Sequence, residues 1–146
     1  MAIVSNTEEV DRAIRELGVR ANRISPENER QTYEAVLNTF SGGKDGIWLW
    51  EHFTEPSFGC ELAHFSETAE IVPDPKEQVW FMVEEDHSPK PIYCVSVTGA
   101  ISIVGDCFAF EYYLIDTKLQ WILCENHHDW VVGSGSICER LKRSAA

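Results

Sequence analysis

The densest run of potentially reactive side chains is Glu125-Asn126-His127-His128-Asp129, which lies between two apolar segments. Histidine titrates near neutral pH and can act as a general base, and Asp129 or Glu125 could orient it. This interpretation predicts a small hydrolase-like enzyme. The same run also suits the polar end of a hairpin, in which Asn126 and Asp129 bond turn amides. The residues alone leave both interpretations open.

A second set of residues has the spacing of metal ligands. Cys124 and His127 form a Cys-x-x-His pair, and Cys60 and His64 form a Cys-x-x-x-His pair. Tetrahedral zinc accepts two cysteines and two histidines, so a metal-assisted enzyme is a further alternative. Cys124 closes an apolar segment, however, where a cysteine behaves as a small buried hydrophobe. We therefore expect no metal and no other cofactor.

Acidic and aromatic residues predict a surface for a protein partner. Glu84-Glu85-Asp86 follow an apolar segment and are expected to form an acidic rim, with Asn126 and Trp130 as further binding residues. Exposed tryptophans often anchor interfaces, although most tryptophans of a small domain belong to its core. Trp48 and Trp50 would share one face of a strand. A solvated surface is the alternative interpretation of the acids.

Two amphipathic helices are predicted near the N-terminus. The first begins at the N-cap candidate Ser5 and ends at Gly18. The second begins at Ser25, which is followed by proline at the first helical position, and stops before Gly42. Each helix has a single apolar face. Both are therefore expected to pack on one side of a sheet.

Apolar segments predict the strands of that sheet. They cover residues 47–50, 78–83, 91–95, 111–116, 119–124 and 130–132. Segment 100–104 fits either a strand or a short helix. Thr117-Lys118 predicts a two-residue hairpin turn. Segment 54–76 is the least regular stretch and is expected to form a long surface loop.

The order of these elements predicts the fold class. A closing helix is expected from Ser136 to about Lys142. Helices grouped at the two ends of the chain around a mainly antiparallel sheet indicate an α+β fold, with two N-terminal helices and one C-terminal helix. A chain of 146 residues fits a single domain over residues 1–146.

The charge distribution restricts the partners. The chain has 12 basic and 24 acidic side chains, and residues 45–139 hold only Lys76, Lys90 and Lys118 against 17 acids. Such charge repels phosphate backbones, so nucleic acid is not an expected partner. It attracts basic proteins, although it also serves solubility.

Targeting signals are not evident in the sequence. No apolar run reaches the roughly 20 residues that span a bilayer, and the N-terminus does not resemble a signal peptide. Five scattered cysteines in an odd set favour free thiols in a reducing compartment. We therefore expect a cytoplasmic protein that does not contact membranes.

The run EYYLIDTKLQWILCENHHDWVVGSG, at residues 111–135, resembles the C-terminal signature of a family of uncharacterised small bacterial domains. Trp80-Phe81 and Tyr93 extend the resemblance over about the last two-thirds of the chain. Small acidic domains of this kind are similar in style to immunity proteins of bacterial toxin systems. The function of that family is unknown, so the resemblance assigns no role to individual residues.

These observations favour a protein-binding module over an enzyme. The leading hypothesis is an immunity protein that neutralises a toxin, such as a basic nuclease, by covering its active site. The second hypothesis is the enzyme built on Glu125, His127, His128 and Asp129. The third is a structural or regulatory module that associates with itself, with an oligomeric state that the sequence does not indicate.

Overall fold

The computed structural model describes residues 4–45, 49–62, 64–126 and 130–145. Within them, seven strands form one antiparallel sheet: β1 (Asn22–Arg23), β2 (Ser57–Glu61), β3 (Gln78–Val83), β4 (Ile92–Ser96), β5 (Tyr112–Ile115), β6 (Trp121–Glu125) and β7 (Trp130–Gly135). The helices of the same residues are α1 (Asn6–Leu17), α2 (Pro26–Phe40), α3 (Thr68–Ile71), α4 (Val97–Gly105) and α5 (Ile137–Ala145). The strand order is β1-β4-β3-β5-β6-β7-β2, so the predicted α+β class with an antiparallel sheet is confirmed.

The N-terminal helices begin and end where the sequence predicts. Ser5 Oγ accepts the Glu8 N–H at 3.1 Å, and Gly18 ends α1 in the left-handed conformation at φ 68°. Ser25 Oγ accepts the Asn28 N–H at 3.3 Å at the start of α2. These caps satisfy backbone donors that have no partner inside the helix.

The two helices nevertheless pack on opposite faces of the sheet, so the expectation of a shared face is wrong. Val10 of α1 belongs to the same apolar core as Phe81, whereas Tyr33 of α2 belongs to the core of Met82. Adjacent strand residues point to opposite faces. The central strands are therefore buried on both sides, with α1, α3, α4 and α5 on one face and α2 on the other.

The predicted arrangement of helices at the chain ends is only partly matched. Segment 100–104 lies inside α4, in the middle of the chain, where Ser96 Oγ caps the helix by accepting the Gly99 N–H at 3.0 Å. This cap and the helical spacing of the buried residues Val97, Ala100 and Ile103 explain the helix. None of the helices that the structure describes has the length and apolar character needed to cross a bilayer.

Two further expectations are wrong. Leu49 and Trp50 belong to a short 3₁₀ helix, Leu49–His52, and not to a strand; Trp48 lies outside the described residues. Segment 54–76 is not one loop, because it holds β2, a 3₁₀ turn at Phe65–Glu67 and α3. The strand in it, with sequence SFGCE, carries a weak local signal and is fixed by pairing with the distant β7.

The β5–β6 hairpin is confirmed, but its turn is longer than two residues. The Asp116 N–H bonds to the Trp121 carbonyl, and the chain between them turns at Leu119 in the left-handed region, φ 60°. Without an Asn-Gly pair, the sequence does not encode the tightest turn. The last strand, β7, is six residues long, and α5 follows it directly.

Candidate functional site

One end of the sheet collects most of the residues that the sequence singles out. The register aligns Val83 with Tyr112, Tyr112 with Glu125, and Glu125 with Val131 across four adjacent strands. At the same end, Trp130 of β7 is paired with Glu61 of the next strand, β2. We call this the acidic end of the sheet, defined by Glu61, Glu84, Glu111, Glu125 and Trp130. Three strand spacings, about 14 Å, separate the β3 and β7 positions.

The predicted acidic rim is only partly a surface. Glu84 forms an ion pair of 2.7 Å with the buried Lys90, and its side chain is mostly buried. Glu85 accepts the Asn6 N–H at 2.9 Å and therefore holds the start of α1. Asp86 alone of the three acids is exposed. Glu84 and Glu85 thus stabilise the fold, and Asp86 is the member of the rim that a partner could contact.

Glu111 is a buried carboxyl group that sequence patterns do not single out. It accepts hydrogen bonds from Trp50 Nε1 at 2.9 Å and from the Tyr113 hydroxyl at 3.0 Å. Burial, reinforced by the neighbouring Glu84 carboxylate, raises the pKa of Glu111 to about 7. The sequence around Glu111 does not indicate that this carboxyl group is paired with a second one. Glu84, the carboxylate beside it, is 27 positions away in the chain.

Trp130 is the most exposed tryptophan among the described residues, with 37% of its surface accessible. Its indole lies against Gly59 of the edge strand β2, where an added Cβ would come within 2.8 Å of Nε1. Glycine at position 59 therefore leaves space for the indole ring, which is partly exposed to solvent. This arrangement places a large apolar side chain at the rim of the sheet, beside Glu61.

Glu125 and Asn126 line a cavity on the α4 face. Tyr112 donates its hydroxyl hydrogen to Glu125 Oε2 at 3.0 Å. Asn126 is buried, and its N–H bonds to the Trp130 carbonyl at 3.0 Å. His127, His128 and Asp129 lie outside the described residues. The catalytic role of this run therefore stays a prediction.

Of the four candidate metal ligands, Cys60, His64 and Cys124 are described by the structure and do not form a common site, whereas His127 lies outside the described residues. Cys60 belongs to the core on the α1 face and Cys124 to the core on the α2 face, so the sheet separates them. Burial raises the pKa of both thiols, which disfavours the thiolate that zinc requires. His64 is exposed and its Nδ1 lies 2.8 Å from Ser66 Oγ. Within the described part of the chain no three potential ligands cluster.

Comparison with protein families matches residues 7–145 to DUF6756, a family of unknown function. The chain belongs to this family, which agrees with the expected uncharacterised domain. The signature at residues 111–135 and a bacterial source stay predictions. Neither a curated protein nor a solved structure matches the chain significantly.

Proposed function

We propose that this member of the family is a protein-binding module that docks a basic partner protein at the acidic end of its sheet. The observation that carries the proposal is the exposed Trp130 indole, seated on Gly59 beside Glu61. Tryptophan is the residue most enriched among interface hot spots, because it buries a large area with few rotatable bonds. Trp130 is the anchor of the docking surface.

The edge strand β2 supplies backbone groups next to that anchor. The Gly135 N–H bonds inward to the Pro56 carbonyl, while the Ser57 N–H points outward to the Glu55 side chain. Alternation along the strand then directs the N–H and C=O of Gly59 and Glu61 outward. In the described residues no strand pairs with this edge. An extended partner segment can add to it as a further strand.

The charge at this edge selects the partner. Glu55 and Glu61 are exposed on either side of Gly59, and the whole chain carries a net charge of −12. A basic segment would be attracted, whereas a nucleic acid would be repelled. A second copy of the chain would bring the same acids together, so self-association through this edge is disfavoured.

The partner class that we propose is a basic toxin, such as a nuclease. The chain would act as its immunity protein and neutralise it by covering the active site. Three features support this proposal: the acidic surface, the small domain and the similarity in style to immunity proteins. We place this action in the cytoplasm, which the five free thiols favour.

A growth assay tests the proposal. The reading frame next to the gene in the source genome is expressed alone and then together with this chain. We expect toxicity that co-expression relieves, and we expect Trp130→Ala to lose at least part of the rescue because the anchor is gone. Leu17→Ala is the matched control, since Leu17 is also exposed (45%) but lies at the far end of α1.

Two results would contradict the proposal. The first is a toxic neighbour that the wild-type chain does not relieve, although the chain is present at high level. The second is a Trp130→Ala variant that rescues fully while Leu17→Ala does not, which would move the docking surface to α1.

A further inference from the structure

The edge strand β2 is flanked by opposite charges on the two faces of the sheet. Phe58 packs into the core that includes Ile137 and Leu141 of α5. Adjacent strand residues point to opposite faces, so Glu61, three positions further on, lies on the other face. Lys142 of α5 places its Nζ 5.9 Å from the centroid of the Phe58 ring. A cation therefore lies beside the edge on the α5 face, and an exposed carboxylate lies on the opposite face.

We propose that Lys142 selects a partner segment in which an acidic residue lies three positions from a basic one. This inference rests on the proposed function, because it specifies the segment that adds to β2. The basic residue would lie opposite Glu61, and the acidic residue would lie opposite Phe58, beside Lys142. Three positions is an odd separation, so the two side chains point to opposite faces of the added strand.

The backbone pattern of β2 brings the acidic residue close to Lys142. The Gly135 N–H donates to the Pro56 carbonyl, so Pro56 and every second residue after it bond inward to β7. Phe58 is one of these inward residues, and it would form a non-hydrogen-bonded pair with an antiparallel added strand. Facing side chains are closest in such pairs, where the Cα atoms are about 4.5 Å apart. The partner's side chain at this position would therefore contact the Phe58 ring and reach the Lys142 ammonium group.

The Lys142 ammonium group is available to a partner. Its ion pair with Glu139 has an Nζ–Oε1 distance of 3.8 Å, and the two side chains are 52% and 79% exposed. Ion pairs of this kind contribute little in water, because both groups remain solvated and mobile. A carboxylate held in place on the added strand can therefore replace Glu139 at little cost.

The opposite charges also fix the register of the added strand. A shift by one residue turns every side chain of that strand to the other face. The basic residue would then lie on the face of Lys142, and the acidic residue would lie on the face of Glu61. Favourable pairs across strands would thus become repulsive pairs, and each such pair changes the affinity by about two- to fivefold. The edge therefore discriminates between registers as well as attracting the segment.

The test uses the full chain with a peptide attached to its C-terminus, because α5 ends close to β2. A Gly/Ser linker of about 10 residues spans about 17 Å on average and allows the peptide to reach the edge. The three peptides are TKVTDT, TKVTNT and TKVTKT, which differ only at the residue that faces Phe58 when the lysine faces Glu61. Docking is measured by NMR as slower hydrogen exchange of the Gly59 amide, relative to the chain without a peptide.

We expect the aspartate peptide to dock about two- to fivefold better than the asparagine peptide, and the lysine peptide to dock least well. This order is informative because the net charge of −12 alone would favour the lysine peptide. Lys142→Met keeps an apolar stem beside Phe58 and should abolish the preference for aspartate. Lys142→Glu should reverse the order of the three peptides.

Lys76→Glu is the matched control, because it makes the same change of charge just before β3. Four strand spacings, about 19 Å, separate β3 from β2, and salt screens a charge over that distance. This variant should keep the wild-type order of the peptides.

The possible failures are distinguishable. Equal docking of the aspartate and asparagine peptides, with Gly59 protected by both, would overturn the role of Lys142 and leave strand addition at β2 standing. Persistence of the aspartate preference in Lys142→Glu would overturn it in the same way. If none of the peptides slows exchange at Gly59, both the inference and the proposed addition of a strand at this edge are wrong.

Discussion

At the scale of single residues, the most unusual group is the buried Glu111. Its oxygens accept hydrogen bonds from the Trp50 indole and the Tyr113 hydroxyl, and Glu84 lies beside it. Glu84 Oε2 is itself buried, and no hydrogen bond reaches it from the residues that the structure describes. A proton retained by the pair reduces the repulsion between the two carboxylates.

The retained proton predicts a pH-dependent stability. The pKa of Glu111 is about 7 in the folded protein but close to 4.5 without the fold. The folded state therefore binds the proton of Glu111 more tightly than the unfolded state does. The stabilisation that this proton provides is present at about pH 4 and is lost as the pH rises through 7. A shift of this size corresponds to roughly 3 kcal/mol, since one pKa unit is about 1.4 kcal/mol.

Glu111→Gln should remove this dependence. Glutamine keeps a carbonyl oxygen for the Trp50 indole and does not ionise. The free energy of unfolding, measured with urea, should decrease more for the wild type than for this variant as the pH rises from 5 to 8. Glu139→Gln, on the surface of α5, should follow the wild type. Parallel curves for the wild type and Glu111→Gln would show that Glu111 is ionised throughout.

The same residue marks a limit of sequence analysis. Glu125, Asn126 and Trp130 belong to a dense polar and aromatic run, which the sequence alone singles out. Glu111 and its neighbour Glu84 come together only through the pairing of β3 with β5. Their proximity depends on strand order, which local patterns do not encode.

At the scale of elements, capping residues and apolar periodicity predict the helices well. Ser5, Gly18 and Ser25 mark the ends of α1 and α2 where the structure has them. The face on which each helix packs is not encoded locally, because both helices have the same kind of apolar stripe. The consecutive apolar residues of β3 and β6 do indicate that helices cover both faces of the sheet, since strands of this kind are buried on both faces.

The contact between α5 and the sheet gives an element-scale prediction. A Cβ at Gly133 would lie 2.6 Å from both Ile137 Cγ2 and Leu141 Cδ1, and these two residues are fully buried. Gly133→Ala must displace these side chains of α5 and should cost about 1–3 kcal/mol of stability. Thermal or urea unfolding measures this loss.

Gly105→Ala is the matched control for that substitution. A Cβ at position 105 would lie 3.3 Å from Phe65 Cζ and would need only a small movement of the ring. This variant should keep nearly wild-type stability. Equal losses for the two variants would mean that the helix contact at Gly133 is not responsible.

At the scale of the whole molecule, the dominant feature is the excess of acidic groups. Residues 45–139 contain 17 of the acids, and the sheet brings several of them to one end. Long-range attraction of this kind acts mainly on association rates and is screened over about 8–10 Å at physiological salt. A partner should therefore bind faster at low ionic strength.

Charge reversal should be made at the exposed acids. Glu84 forms an ion pair with Lys90, and Glu85 accepts a hydrogen bond from Asn6. Charge reversal at these two positions would therefore disturb the fold and would not test the electrostatic attraction of a partner alone. Glu61→Lys with Asp86→Lys should lower the association rate of a basic partner about tenfold or more at low salt, as stopped-flow mixing would measure. Glu77→Lys, at the opposite end of β3, should have a much smaller effect. An unchanged rate in the double variant would refute steering by this end.

The position of β2 has a consequence for how the protein is made. Its residues are paired with β7, roughly 70 positions further along the chain. During synthesis β2 leaves the ribosome long before its partner exists, while β3 to β6 can already form neighbouring pairs. The edge strand then joins last, when β7 and α5 emerge and Lys142 comes to lie 5.9 Å from the Phe58 ring. The sheet edge to which we propose that the partner binds is therefore completed only after β7 has been made.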